Sequence, residues 1–389
     1  MDRYQAFLEE SVAHKPELAD DLSRLGDLYS RKLWHELTCA LEEIVTKPVV
    51  RQDGFLLALY QKFIAGFAQR INLLKLAQFA VAAAQEIANP AEGMAFIKDV
   101  IDSLEGSRVV DPEAALLYLR CRVVGYQVAS GDLSGARRGL EELEVALEAL
   151  PEADRLVPAE VHRADMAYRK ARGQHGEFYR AALQYLAFAD LEKMPLEQRA
   201  ALAADVGLAA LLADDVHDFG ALLLHPVAEA LRADASRAWL LELLEAFHKG
   251  DIAAYERTCA AHAAELNAQP ELVANERKLR EKVTVACLLV QLHERPPAQR
   301  RVPLADVAAR THLSAEGAEA LVLKALGLGL VEGTIDGVDE TLDVIWVAPR
   351  ILDNNGIAQL RDRISDWLAR VDRAAADFER DAAGVIAAA

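Results

Sequence analysis

From its first residues to about residue 295, this chain returns apolar side chains every three or four positions and almost never alternates as a strand would. Leu25, Leu28, Leu33, Leu37, Leu41 and Ile44 show the spacing. The residues between them are mainly Ala, Leu, Glu, Gln and Arg, whose side chains lose little freedom in a helix. Breaks recur along it, at Lys47-Pro48, Asn89-Pro90, Asp111-Pro112, Pro151, Gly173, Met194-Pro195, Gly250 and Gln269-Pro270. Short helices joined by short turns pack as antiparallel hairpins.

A weak internal repeat runs through this region. Gly131-Asp132-Leu133 is followed by Ala136, Gly176-Glu177-Phe178 by Ala181, and Gly250-Asp251-Ile252 by Tyr255. Glycine suits the left-handed residue that ends one helix, and the acid favours the N-terminus of the next. The motif returns after 45 and then 74 residues, the second near twice the period of stacked two-helix repeats. A hairpin of this kind cannot bury both faces alone, so hairpins stack into a solenoid.

The rhythm changes after Pro296-Pro297. Val302 to His312 reads as a short helix, and Ser314 is a good N-cap for a second, Ala315 to Leu326. Leu330 to Ile335 and Thr341 to Val347 read as strands, with Leu342, Val344 and Trp346 alternating and Asp336 to Glu340 as the turn. Helix, helix and a two-stranded wing make a winged helix. A last helix follows Asn354-Asn355-Gly356. Its apolar positions Ile357, Leu360, Ile364, Trp367, Val371, Ala374 and Phe378 step by 3 and 4 in turn, a heptad seam held for three repeats before the Ala-rich tail 382–389. Helices that pack on a globular core show a wider stripe. This seam is therefore read as the partner-binding surface, through Ile357, Leu360, Ile364, Trp367, Val371 and Phe378.

A winged helix raises the question of DNA, and charge answers it. The chain carries 43 Lys and Arg against 61 Asp and Glu, a formal charge of −18. Nucleic-acid binders displace counterions with a basic field. Here the would-be recognition helix offers Glu316 and Glu319 with one base, Lys324. The wing offers Glu332, Asp336, Asp339, Glu340 and Asp343 with none. The same charge disfavours anionic membranes, and the longest apolar runs, such as Val206 to Ala213, are about eight residues against roughly twenty for a spanning helix. The N-terminal MDRYQAFLEESVAHK has early acids and no apolar core of signal length. Cys39, Cys121, Cys259 and Cys287 include no CxxC pair and read as free thiols of a reducing compartment.

No catalytic, cofactor or metal site is expected. Cys259 and His262 have CxxH spacing with Glu265 beyond, but no second ligand pair follows. His35 and Cys39 are one helical turn apart, yet no third orienting group or oxyanion element can be named. Gly327-Leu328-Gly329 enters a strand and lacks the Lys-Ser or Lys-Thr of a phosphate loop.

A helical-repeat array running into a winged helix and one further helix resembles the PCI-domain subunits of the proteasome lid, the COP9 signalosome and the translation-initiation scaffold. The strings LYSRKLWHELT (28–38), FAQRINLLKLAQ (67–78), FYRAALQYLAFAD (178–190), FGALLLHPVAEALR (219–232), LVLKALGLGLVEGTIDGVDE (321–340) and WVAPRILD (346–353) resemble a lid subunit in particular. The resemblance implies a non-catalytic scaffold of the 19S regulatory particle in cytoplasm and nucleus. Its winged helix would dock beside other PCI subunits, and its terminal helix would enter a shared bundle that directs lid assembly. Its neighbours would include the deubiquitinase dimer and the ubiquitin-receptor subunit, with no nucleic acid and no membrane among its partners. The alternatives are a subunit of the two sister assemblies or a winged-helix nucleic-acid regulator. The expected architecture is mostly α. It comprises a right-handed α-solenoid of helical hairpin (TPR-like) repeats, a winged-helix PCI module and a long C-terminal helix. The divisions are an arm at 1–175, a PCI domain at 176–350 (helical repeats 176–295, winged helix 296–350) and a bundle helix with tail at 351–389.

Overall fold

A computed structural model describes residues 7–386, apart from 9, 13–14, 48, 51–53, 107–110, 151–153, 297–298 and 352–353. The expected breaks at Pro48 and Pro151, Pro297 and the last three alanines of the tail lie outside the described residues. The chain divides into two compact units, Met1–Asp190 and Leu191–Ala389.

Every regular element described in the first unit is a helix. From Leu73 onward its helices are Leu73–Ala84, Pro90–Glu105, Glu113–Ala129, Leu133–Glu148, Leu156–Ala171 and His175–Phe188. Consecutive helices pack together. So do Leu73–Ala84 with Glu113–Ala129, and Glu113–Ala129 with Leu156–Ala171, which is the contact pattern of stacked hairpins. Asn89 takes the expected place at a break: its side chain accepts from the N–H of Ala91 ahead of Pro90. Nearer the N-terminus, Tyr29, Trp34, Phe63 and Phe67 form an aromatic cluster with centroids 5.1 to 5.9 Å apart.

The repeated turn is real but one copy is displaced. Gly131 and Gly250 are left-handed, and the N–H groups of Asp132 and Asp251 reach back to Gln127 and Ala246 at 2.9 and 3.0 Å. Asp132 and Asp251 then cap the next helix, accepting from Gly135 and Ala254 at 2.9 Å. In the middle copy Gly176 lies inside the helix His175–Phe188. The left-handed residue is Gly173, and Gln174 N–H donates to Arg169 O at 3.0 Å. Corrected this way, the residue five positions after each glycine (Ala136, Phe178, Tyr255) is buried. Gly250 is constrained twice, because a Cβ there would sit 2.7 Å from the Cα of Cys287.

In the second unit the helix Glu276–Glu294 ties the helical part to the winged module. Its Val285, Leu288, Leu289 and Leu292 share one core with Val307, Val322, Val331, Leu342 and Val344. The winged module departs from expectation at its start. Val302 is in a strand, β1 (Arg301–Pro303), and only Leu304–Thr311 is helical. β1 pairs antiparallel with β3 (Thr341–Val347), which pairs antiparallel with β2 (Val331–Asp336), so the sheet has three strands in the order β1-β3-β2. Pro303 is tolerated because it closes a short edge strand. Ser314 caps the helix Ala315–Gly327 as expected, its Oγ 3.2 Å from the N–H of Gly317.

The expected alternation of β3 also fails at one point. Glu332 faces Trp346 and Gly333 faces Val344, which leaves Ile345 as an extra residue. The bulge reverses the inside-outside parity of the residues beyond it. Leu342 and Val344 are buried, Ile345 and Trp346 are both exposed, and Val347 turns back to the core. Gly333 permits it, since a Cβ there would lie 2.3 Å from the carbonyl oxygen of Asp343.

Candidate docking site

The terminal helix runs from Asn354 to Ile386, 33 residues. Its root is fixed to the second unit by specific bonds. Ala348 N–H donates to Leu330 O at 2.8 Å, and Ala348 O lies 2.8 Å from Nε2 of His293. The Arg350 guanidinium donates to His248 O. Ile351 N–H donates to Asp218 Oδ2 at 2.8 Å, and the Ile351 side chain covers Gly220, leaving no room there for a Cβ.

Beyond that root the helix is bare. Ile357, Leu360, Ile364, Trp367, Val371 and Phe378 are 44% to 74% exposed. The expected seam residues are thus brought together on one face, and their own unit does not cover them. Sequence reasoning missed Leu368, equally exposed and beside Trp367. It widens the stripe, and its place one residue after a seam position was the available signal. Six or seven large apolar side chains on one exposed ridge exceed what a solitary soluble protein ordinarily shows. Covering each stabilises by about 1.5–3 kcal/mol.

The wing is less starkly acidic than its own segment implied. The unforeseen strand β1 brings Arg301 to the turn, where Nη2 lies 3.2 Å from Asp336 and 2.8 Å from Asp339 and Nε lies 3.7 Å from Asp343. One guanidinium serves three carboxylates, so the tip remains net negative. Lys324, the lone base of the would-be recognition helix, is held by Glu281. Neither element presents a free cation toward a nucleic acid among the described residues.

The other constellations resolve into ordinary contacts. Cys39 Sγ is 3.9 Å from His35 Nε2 on a half-exposed helix face. His262 sits between Glu242 and Glu265 at 3.7 and 3.9 Å. Burial raises the Cys259 thiol above its ordinary pKa, the reverse of what a nucleophile or metal ligand needs. No group of three metal-ligating side chains is assembled among the described residues, and no described helix is long and apolar enough to cross a membrane.

One buried charge escaped the sequence. Lys282, on the Glu276–Glu294 helix, is 5% exposed. Its Nζ donates to the carbonyls of Ala210, Leu211 and Ala213 at 2.6, 3.2 and 2.7 Å and lies 5.3 Å from the Phe219 ring centroid. Lys278 adds a bond to Leu212 O at 2.6 Å. Two lysines thus cap the orphan carbonyls that end the helix Leu196–Leu212. Desolvation, helped by Lys278, lowers the Lys282 pKa to about 7. Its position within KVTVACLLV, the most apolar part of its helix, was the only local clue.

Comparison with known proteins adds what the geometry alone leaves open. Residues 21–244 match the family described as PSD13 N-terminal repeats. The 26S proteasome non-ATPase regulatory subunit 13 homolog B of Arabidopsis thaliana is 34% identical over 98% of this chain and 99% of its own length. The chain belongs to the 26S proteasome non-ATPase regulatory subunit 13 family. The Dictyostelium discoideum member is 29% identical over 98% of each chain, and the Saccharomyces cerevisiae 26S proteasome regulatory subunit RPN9 is 27% identical over 92% of each. The similarity to these family members is nearly full-length, so it takes in the repeats, the winged module and the terminal helix.

Proposed function

We propose that this chain is a non-catalytic scaffold subunit of the lid of the 26S proteasome regulatory particle, supporting lid assembly and thereby ubiquitin-dependent degradation. The observation that carries the proposal is a 33-residue helix that is apolar along one uncovered face. The relatives, named as 26S proteasome regulatory subunits, supply the assembly. In this reading residues 1–175 are an arm, 176–350 the PCI domain (winged helix 296–350), and 351–389 the bundle helix and tail. The partners are other lid PCI subunits, the deubiquitinase dimer and the ubiquitin-receptor subunit, in cytoplasm and nucleus. The mechanism is positional. The winged module supplies one contact and the terminal helix a second, and linked contacts gain avidity only when several subunits are present together.

The test is deletion of residues 357–389 from the full chain, followed by co-purification with the endogenous particle. The truncated protein is expected to keep its helical circular-dichroism signal, less the deleted helix, and to be absent from the particle. Incorporation at the wild-type level would refute the proposal.

A further inference from the structure

We infer that the partner of the terminal helix is an amphipathic helix whose apolar seam is flanked by carboxylates opposite Arg363 and Arg370. The inference rests on the docking reading above and adds the partner's chemistry. On a helical wheel, Arg363 and Arg370 lie on one border of the seam, while Arg361, on the other, is held by Asp362 through Nε and Nη2 at 2.9 and 2.7 Å. The acids of the same stretch, Asp362 and Asp366, lie on the far face. The Arg363 and Arg370 border of the root half is therefore basic in a chain of net charge −18. The sign changes towards the tip, where Asp377 takes the border of Arg363 and Arg370, and Ala374 and Ala375 narrow the seam.

The basic character continues onto the body. At the root, a cavity of about 240 Å³ lies between β3 and the helix. It is lined by Arg300, Arg363 and the exposed Trp346, with Arg295 and His293 behind. Arg300 donates to Ile345 O and is held in place; Arg295 is paired with Asp306 at 2.6 Å and burial keeps the His293 pKa below its ordinary value, so Arg300 and Arg363 carry the positive charge there. A partner approaching along the seam meets positive charge from the cavity to Arg370.

A second copy of this chain fits poorly. Antiparallel pairing that matches Ile364 with Trp367 of the other copy sets Arg363 against Arg370 on both sides. Parallel pairing gathers Arg363 of both copies around one root. Like charges along a seam are a common means of excluding a wrong partner.

The test uses the full chain and three synthetic helical peptides with identical leucine seams, bordered by Glu, Gln or Lys. Fluorescence anisotropy at low salt is expected to show the Glu peptide binding at least tenfold more tightly than the Lys peptide. The preference should shrink as salt rises, because border charges are screened. In the double variant Arg363→Glu, Arg370→Glu the order should reverse. Equal binding of all three peptides, or preference for Lys by the wild type, overturns the inference while leaving the docking reading intact. Binding of none of them, like unchanged Glu-peptide affinity in a variant carrying Ile364→Ala and Trp367→Ala, overturns the docking reading itself. Concentration-dependent dimerisation of the full chain that the seam variant abolishes would make the second copy the occupant and also overturn the inference.

Discussion

The two longest helices of the second unit, Glu276–Glu294 and Asn354–Ile386, are built on opposite plans. The first is 19 residues long and so enclosed that a lysine, a threonine and a glutamine are buried along with its Val, Leu and Cys side chains. The second is 33 residues long and leaves even a tryptophan in water. The difference lies in how the apolar residues are distributed. From Val283 to Leu289 the first helix is apolar on nearly every side but for Thr284, so neighbours are needed all round, and the winged module and the Ala238–Lys249 and Ile252–Ala261 helices supply them. The second helix keeps one apolar stripe among arginines and aspartates. An embedded helix stabilises its own unit, whereas a helix with one bare seam holds its stabilisation in reserve for association.

Substitutions in the two helices should separate these roles. The largest effect is expected for Ile364→Ala with Trp367→Ala. Losing two covered side chains at about 2 kcal/mol each would weaken partner association roughly 1000-fold. The stability of the isolated chain should move by less than about 0.5 kcal/mol, since nothing of its own covers them. Co-purification and urea unfolding measure the two quantities; a stability loss comparable to the association loss would erase the contrast.

Next in size is Gly250→Ala, which touches the embedded helix from outside. A side chain at a left-handed position and a clash with the Cys287 backbone together should cost about 3 kcal/mol in urea unfolding. Partner binding by the molecules that remain folded should be unchanged.

Lys282→Met is expected to cost about 2 kcal/mol by leaving buried carbonyls of the Leu196–Leu212 helix unsatisfied. Its pH signature is specific. With a folded pKa of about 7 against about 10.4 unfolded, the unfolded chain holds a proton across this window that the fold has released. Stability from this group therefore rises with pH between those values and is flat below pH 7. The deficit of Lys282→Met relative to wild type should widen from pH 7 to pH 10. A constant deficit would mean that the ammonium is not desolvated. The smallest effect is that of Ser314→Ala, about 1 kcal/mol from one lost N-cap.

How much of the molecule was legible in its sequence depends on the range of the forces involved. Ser314, Asp132, Asp251 and the left-handed Gly131 and Gly250 act within five residues of themselves, and each lies where local rules put it. The heptad of the last helix was legible because spacing alone defines it. Gly176 misled because Gly173, three residues earlier, meets the same need and lies at the true helix end. Arg301–Pro303 was missed because three residues carry no alternation, and the strand exists only through pairing with Thr341–Asp343. The bulge at Ile345 depends on the residues facing it across β2. Lys282 was least legible of all, since the carbonyls that hold it come from residues about 70 positions earlier. The docking seam could be read as a pattern, but only coordinates show that its own unit leaves it uncovered.

The central claim is that residues 357–380 are covered by partner chains rather than by their own body. Amide hydrogen exchange on that segment, compared between the isolated chain and the purified particle, tests it most directly. Weak protection alone and strong protection in the particle are predicted, with the Glu276–Glu294 helix strongly protected in both. Equal protection of 357–380 in the two states would contradict the claim.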